Sequence, residues 1–277
     1  LLTAMHAIRD FTSDGANCVG VHLEGPFVSY EKRGAQNAAY LQKPNIEELK
    51  KLNDASGGQV RMITIAPEED ENNAFIREAS QICTVSLGHS VADYEQAKAA
   101  FEAGATHVTH MFNGMNGLHH RTPNLVGAAM RCRDTYGEII CDGNHVNWAA
   151  VNAYVTAKGR DYAVMIDDAL CAKGCEPGYY ELGGNQIDIR ENGSAYLHGT
   201  DTLAGGTLKF NRGLQNLVEK ALLPFDWAVN MVSLNPARLL KMDDRKGKIM
   251  AGYDADLVVL NRDYDVVQTY CLGKEML

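Results

Sequence analysis

The sequence predicts an α/β fold, a TIM-like (β/α) barrel carrying part of a small β subdomain, and three observations predict it. Strand-like apolar runs alternate with helix-like segments at the spacing of βα units. Five of those runs end in a metal-capable or proton-transfer side chain. The length of 277 residues suits one barrel of ~250 residues. Strands of a parallel barrel all point one way, so Glu24, His89, His110 and Asp168, each at a strand's C-terminal end, are expected at one mouth.

The elements follow in order. Residues 1–11 read as a helix and 18–24 as a strand ending in Glu24. A helix over 45–52 leads to a strand over 60–66 that stops at Pro67-Glu68. Helix 72–80 precedes strand 84–89, which ends in His89. Residues 93–103 read as an Ala-rich helix, with Gly104 as its stop. Strand 106–110 ends in His110, strand 137–142 in Cys141-Asp142, and strand 163–168, after helix 148–158, in Asp167-Asp168. Six strands do not close an eight-stranded barrel. Because the chain opens on a helix rather than on Met and a strand, two strands are expected to precede it, leaving the barrel N-terminally incomplete.

After Asp168 the pattern changes to short strands over 179–182, 186–190 and 195–197, separated by Gly183-Gly184-Asn185 and Glu191-Asn192-Gly193, which are hairpin signals. Helices over 207–220 and 226–240, the latter containing Asn235-Pro236-Ala237, precede strands over 256–260 and 266–271. This divides the chain into a barrel (1–178 and 201–245) and β-subdomain elements (179–200 and 246–277).

Hydrophobic content of 45% with 22% charged residues argues against disorder. A net charge of -9 without a basic run argues against a nucleic-acid partner. No apolar stretch nears the ~20 residues that span a bilayer, and the first residues lack a signal peptide's layout, so the expected compartment is the cytoplasm. Seven cysteines, odd in number and scattered, read as structural free thiols. Cys171 and Cys175, flanking Lys173-Gly174, leave a metal or redox role open.

Five stretches carry a resemblance: His22-Leu23-Glu24-Gly25-Pro26-Phe27, Gly88-His89-Ser90, Thr109-His110-Met111-Phe112-Asn113-Gly114-Met115, Asp142-Gly143-Asn144-His145-Val146 and Asp168-Ala169. With residues 247–257 added, the chain resembles, in order and over nearly its whole length, the N-acetylglucosamine-6-phosphate deacetylases of the amidohydrolase superfamily. The resemblance implies a metal-dependent hydrolase barrel that removes an acetyl group to leave glucosamine-6-phosphate and acetate.

Glu24 ends a buried strand before Gly25-Pro26, where an unpaired carboxylate is costly and a divalent cation relieves it. With His89 and His110 it makes a catalytic zinc set with positions left for water and substrate. Iron or another divalent ion suits the same donors, and one or two ions are possible. A solvent-facing glutamate and satisfied core histidines are the structural alternatives. His107 faces away from His110 and reads as structural. The resemblance assigns the proton-transfer carboxylate to Asp168, not Asp167, which stands where relatives often carry a small hydroxyl residue. It implies substrate binding by His145, Asn113 and Gly114, and phosphate binding by Arg121 across a homodimer interface. Gln36 stands where some members have His, so its role is binding without titration. Thr202-Leu203-Ala204-Gly205-Gly206 resembles a loop of the family whose last positions are more often serine. The alternatives are hydrolysis of another cyclic amide or N-acyl substrate, and a non-catalytic sugar-phosphate-binding protein.

Overall fold

The computed structural model describes residues 1–13 and 15–276, which form two compact units, Leu1–Gly137 and Glu138–Leu277. The first unit runs α1 (Leu2–Arg9), β1 (Val21–Glu24), α2 (Ile46–Ala55), β2 (Val60–Ile65), α3 (Ala74–Ala79), β3 (Thr84–Leu87), α4 (Tyr94–Ala103), β4 (His107–Val108) and α5 (Asn124–Arg131). Its four strands form one parallel sheet in the order β1-β2-β3-β4, the βα rhythm of the TIM-like barrel. Leu23, Ile63, Ile65, Val85, Leu87 and Val108 are buried, as strands covered on both faces require.

Local chemistry sets the boundaries. Asn45 caps α2 by accepting from the backbone N–H groups of Glu47 and Glu48. Asp93 and Gln96 form a reciprocal capping box at the start of α4, and Gly104 ends that helix at φ +127°. The helix expected over 72–80 starts later, because Asn72 and Asn73 adopt left-handed φ of 56° and 54°. The buried carboxylate of Asp70 then accepts from Phe75 N and Ile76 N in its first turn. Helix α5 was not legible in the sequence. Gly127 weakens the helical pattern, yet a Cβ there would stand 2.3 Å from Pro123 Cβ, so the tight start of the helix requires glycine.

Strand β5 (Gly137–Ile140) starts at the last residue of the first unit, and the second unit goes on with α6 (Trp148–Lys158), β6 (Ala163–Ile166), β7 (Gly178–Leu182), β8 (Asn185–Ile189), β9 (Ser194–Leu197), β10 (Leu203–Gly206), α7 (Phe210–Glu219), α8 (Phe225–Val232), α9 (Leu234–Leu239), β11 (Leu257–Leu260), β12 (Val266–Cys271) and β13 (Lys274–Glu275). Strands β5 and β6 pair, β7 to β10 form an antiparallel sheet, and β11 to β13 form another. The single helix expected over 226–240 is two helices broken at Ser233, since Pro236 lacks an N–H and its ring would clash with the carbonyl of Val232. Asn235 donates to Arg160 O and Ala163 O, both at 2.8 Å, and ties α9 to the start of β6.

The segment 202–206, expected as a loop, contributes strand β10, whose end lies on the backbone beyond β6. Gly206 N donates to Asp168 O at 2.6 Å, and Leu170 N donates to Gly206 O at 3.2 Å. A Cβ on Gly206 would stand 1.9 Å from Asp167 O. Gly206→Ala is therefore expected to destabilise the protein by at least the ~1–3 kcal/mol of an overpacked core, read as a lowered Tm in thermal unfolding.

Candidate metal centre

Strand β1 delivers Glu24 to the C-terminal edge of the parallel sheet, and the turns after β3 and β4 deliver His89 and His110 to the same edge. Three side-chain atoms converge there. His89 Nε2 lies 2.6 Å from Glu24 Oε1, His110 Nε2 lies 2.9 Å from the same oxygen, and the two Nε2 atoms are 3.0 Å apart. Both imidazoles are buried, while the Glu24 side chain is 34% exposed, so the cluster opens on the carboxylate side. Among the described residues these three form the group of His, Cys, Asp or Glu side chains able to hold a metal ion.

The protonation pattern follows from geometry. His89 Nδ1 is 2.7 Å from Lys32 O, which can only accept, so Nδ1 carries the proton. In the neutral ring Nε2 then presents a lone pair to a carboxylate oxygen 2.6 Å away. Three lone-pair-rich atoms facing one point call for a positive charge, either a proton or a cation. Burial alone would raise the Glu24 carboxyl, but its contacts with His110 and His89 outweigh that and hold it well below the ordinary carboxylate range. A divalent cation meets the same demand. Tetrahedral donors around zinc stand ~3.3 Å apart at bonds of ~2.0–2.1 Å, only slightly wider than the observed spacing. The donor set fits such an ion.

Both imidazoles sit on unusual backbone. His89 has φ +48° and His110 φ +28°, conformations costing non-glycine residues of order 1 kcal/mol or more. Gly114, at φ +59°, packs under His89: a Cβ there would lie 2.9 Å from Nδ1. The Asn113 side-chain amide donates to the carbonyls of His110 and Met111 and braces the second turn. Gln36 lies over Gly25, whose Cβ would meet its Oε1 at 2.6 Å, so this amide flanks the end of β1. Arg121 stands exposed in the loop before α5.

Below the cluster the sheet carries a run of polar side chains that sequence reasoning missed. His22 Nε2 is 2.8 Å from Thr64 Oγ1, the hydroxyls of Thr64 and Thr109 are 2.7 Å apart, and those of Ser86 and Thr109 are 2.6 Å apart. The register aligns Glu24 with Thr64 and Thr64 with Ser86. Their signal was the hydroxyl residues interrupting otherwise apolar strands. His107 is fully buried on β4, away from the cluster's contacts.

In the second unit, Asp142 Oδ2 lies 2.6 Å from His145 Nδ1, and Asp142 Oδ1 accepts from the N–H groups of Asn144 and His145. The carboxylate fixes the imidazole so that Nε2 is the pole left for other partners. Burial would raise the Asp142 carboxyl, but its bonds to His145 prevail and hold it below the ordinary value. Asp168 follows β6 at φ +48°. The neighbouring Asp167 carboxylate is paired with Lys173, so its charge is already engaged.

A family model described as the amidohydrolase family matches residues 2–276. The chain belongs to the amidohydrolase family. Among amidohydrolase relatives, an N-acetylglucosamine-6-phosphate deacetylase of Bacillus subtilis (strain 168) is 38% identical over 94% of this chain. This amidohydrolase chain spans 65% of that relative's length. An N-acetylgalactosamine-6-phosphate deacetylase of Escherichia coli O157:H7 is 35% identical, over 94% of this chain and 68% of its own length. The crystal structure of N-acetyl-D-glucosamine-6-phosphate deacetylase from Mycobacterium smegmatis has a TM-score of 0.89 and 34% identity, covering 93% of this chain and 69% of that one. The family is metal-dependent, in keeping with the Glu24, His89 and His110 donors.

The Asp142–His145 pair yields a pH test. A depressed carboxyl contributes stability that is present above its unfolded value of ~3.9 and lost as pH falls through the folded one. Asp142→Asn is expected to lower stability at pH 7 by about 1–3 kcal/mol, and its deficit against the parent should shrink below about pH 4. Denaturant melts across pH 3 to 7 measure both.

Proposed function

We propose that the chain is the catalytic part of a deacetylase acting on N-acetylglucosamine-6-phosphate, releasing acetate and glucosamine-6-phosphate. The observation that carries this reading is the convergence of Glu24, His89 and His110, within 3.0 Å of one another, in a chain similar to such deacetylases. Those three residues would hold a divalent cation, zinc by donor type, with iron or another divalent ion also suited and one or two ions compatible. When bound, the ion supplies Lewis-acid charge that acidifies water and polarises an amide carbonyl.

The chain's own residues do the rest. Asp168 takes the proton of the attacking water and returns it to the leaving nitrogen. His145, whose Nδ1–H is given to Asp142, turns Nε2 toward the substrate and accepts there from a sugar hydroxyl. Asn113 and Gly114 face the phosphate with amide and backbone groups, Gln36 hydrogen-bonds the sugar or the phosphate, and Arg121 binds the 6-phosphate through its guanidinium fork, reaching the neighbouring site of a homodimer. Residues 1–178 and 201–245 serve as the barrel, with 179–200 and 246–277 as elements of the small β subdomain. No helix among the described residues is long and apolar enough to cross a membrane, and all seven cysteines are free, in keeping with a reducing cytoplasm.

A second reading keeps the chemistry and changes the sugar to N-acetylgalactosamine-6-phosphate, favoured by the Escherichia coli relative. Acetate release is measured with both phosphorylated sugars and with unphosphorylated N-acetylglucosamine. The first reading expects the glucosamine derivative to lead and the unphosphorylated sugar to fall away. Asp168→Asn is expected to lower kcat by at least about 100-fold with metal content unchanged. Retained turnover in that variant would remove Asp168 from its role.

A further inference from the structure

The β2 strand supplies no donor to the cluster, yet the turn that follows it reaches the His89 segment. Glu68 lies in the short helical turn Pro67–Glu69 directly after β2. Its Oε2 accepts from Ser90 Oγ at 2.6 Å and its Oε1 from Val91 N at 2.6 Å. Ser90 Oγ in turn accepts from Ala92 N at 2.9 Å. The three residues after His89 are thus gathered on one carboxylate and the hydroxyl it holds.

The opposite side of the same turn is pinned by backbone. Ser29 N donates to His89 O and Ser90 N to Gly114 O, both at 2.9 Å, while Asn116 reaches Val91 O at 3.3 Å. Between these anchors His89 keeps a left-handed φ of +48°, which the chain would leave if released. Its ring is fixed at Nδ1 by Lys32 O, so the aim of Nε2 depends on where the backbone holds the residue.

We propose that Glu68 is a positioning residue for His89: by clamping Ser90 and Val91 it holds the strained turn that aims Nε2 at the cation. This rests on the reading that Glu24, His89 and His110 bind a divalent ion. Partners that orient a ligand are worth 10–100-fold in metal affinity. Glutamine retains a carbonyl oxygen for Val91 N and offers an amide N–H to Ser90 Oγ, so it preserves the clamp, whereas alanine removes it.

The test is a Zn²⁺ titration against a chromogenic chelator on the full chain, with the Tm of the zinc-free protein recorded for each variant. Glu68→Ala is expected to weaken zinc binding by about tenfold or more, and Glu68→Gln to stay within about threefold of the parent. A merely structural brace would lower the Tm of Glu68→Ala and leave its affinity unchanged, which overturns the proposal. Equal losses in Glu68→Gln and Glu68→Ala would overturn it too. Should Glu68→Ala not fold, Ser90→Ala carries the test, with a loss of about threefold expected from removing one arm and unchanged affinity overturning the inference. A parent chain that takes up no zinc defeats the metal reading itself and the proposal with it, an outcome distinct from tight binding by both parent and variant.

Discussion

The structure turns on an unfavourable juxtaposition that a cation makes favourable. A carboxylate oxygen and two imidazole nitrogens stand within 3.0 Å of one another at the C-terminal edge of the parallel sheet. Left without positive charge, such a cluster would spring apart, since desolvated lone pairs repel. The surroundings work against that. The proton of His89 is committed to Lys32 O, both histidines occupy left-handed backbone, and Gly114 leaves room for the ring only because it has no side chain. The turns after β3 and β4 are built to hold donors together rather than to relax.

The second unit shows the same habit in another form. The Asp142 carboxylate collects two backbone N–H groups and one imidazole N–H, so His145 is fixed by its neighbours and not by packing alone. Beyond β6 the chain needs Gly205 and Gly206 because β10 rests directly on the carbonyls of Asp167 and Asp168. In both units, backbone contact sets the side chain that chemistry would use.

Much of this was legible in the sequence, for physical reasons. Parallel strands buried on both faces read as apolar runs, so β1, β2, β3, β5 and β6 stood out, and the side chains ending them are those the structure sets at the strand ends or in the turns just beyond. Helices over 45–52 and 93–103 were legible too, while the Asn45 cap and the Asp93–Gln96 box that start them are seen only in the structure. What escaped depends on contacts distant in sequence. The hydroxyl run from His22 through Thr64 and Thr109 to Ser86 joins residues up to 45 positions apart, and each member alone looks like an ordinary strand residue. The clamp from Glu68 to Ser90 bridges 22 positions. Strand β10 was hidden because glycines that signal a loop in isolation here permit close backbone packing. Pro236 was visible, yet the apolar run continues across it, and only its missing N–H and its clash with the Val232 carbonyl divide the segment into two helices at Ser233.

The left-handed backbone at His89 and His110 also bears on the protein's persistence. A segment held in a disfavoured conformation opens more readily, and a ligand that binds the closed form alone shifts that balance by mass action. With a divalent ion bound as proposed, the turns after β3 and β4 close for longer as the free ion concentration rises. Resistance to proteolysis in those turns would then track metal supply, coupling the lifetime of the polypeptide to the availability of the ion its chemistry requires.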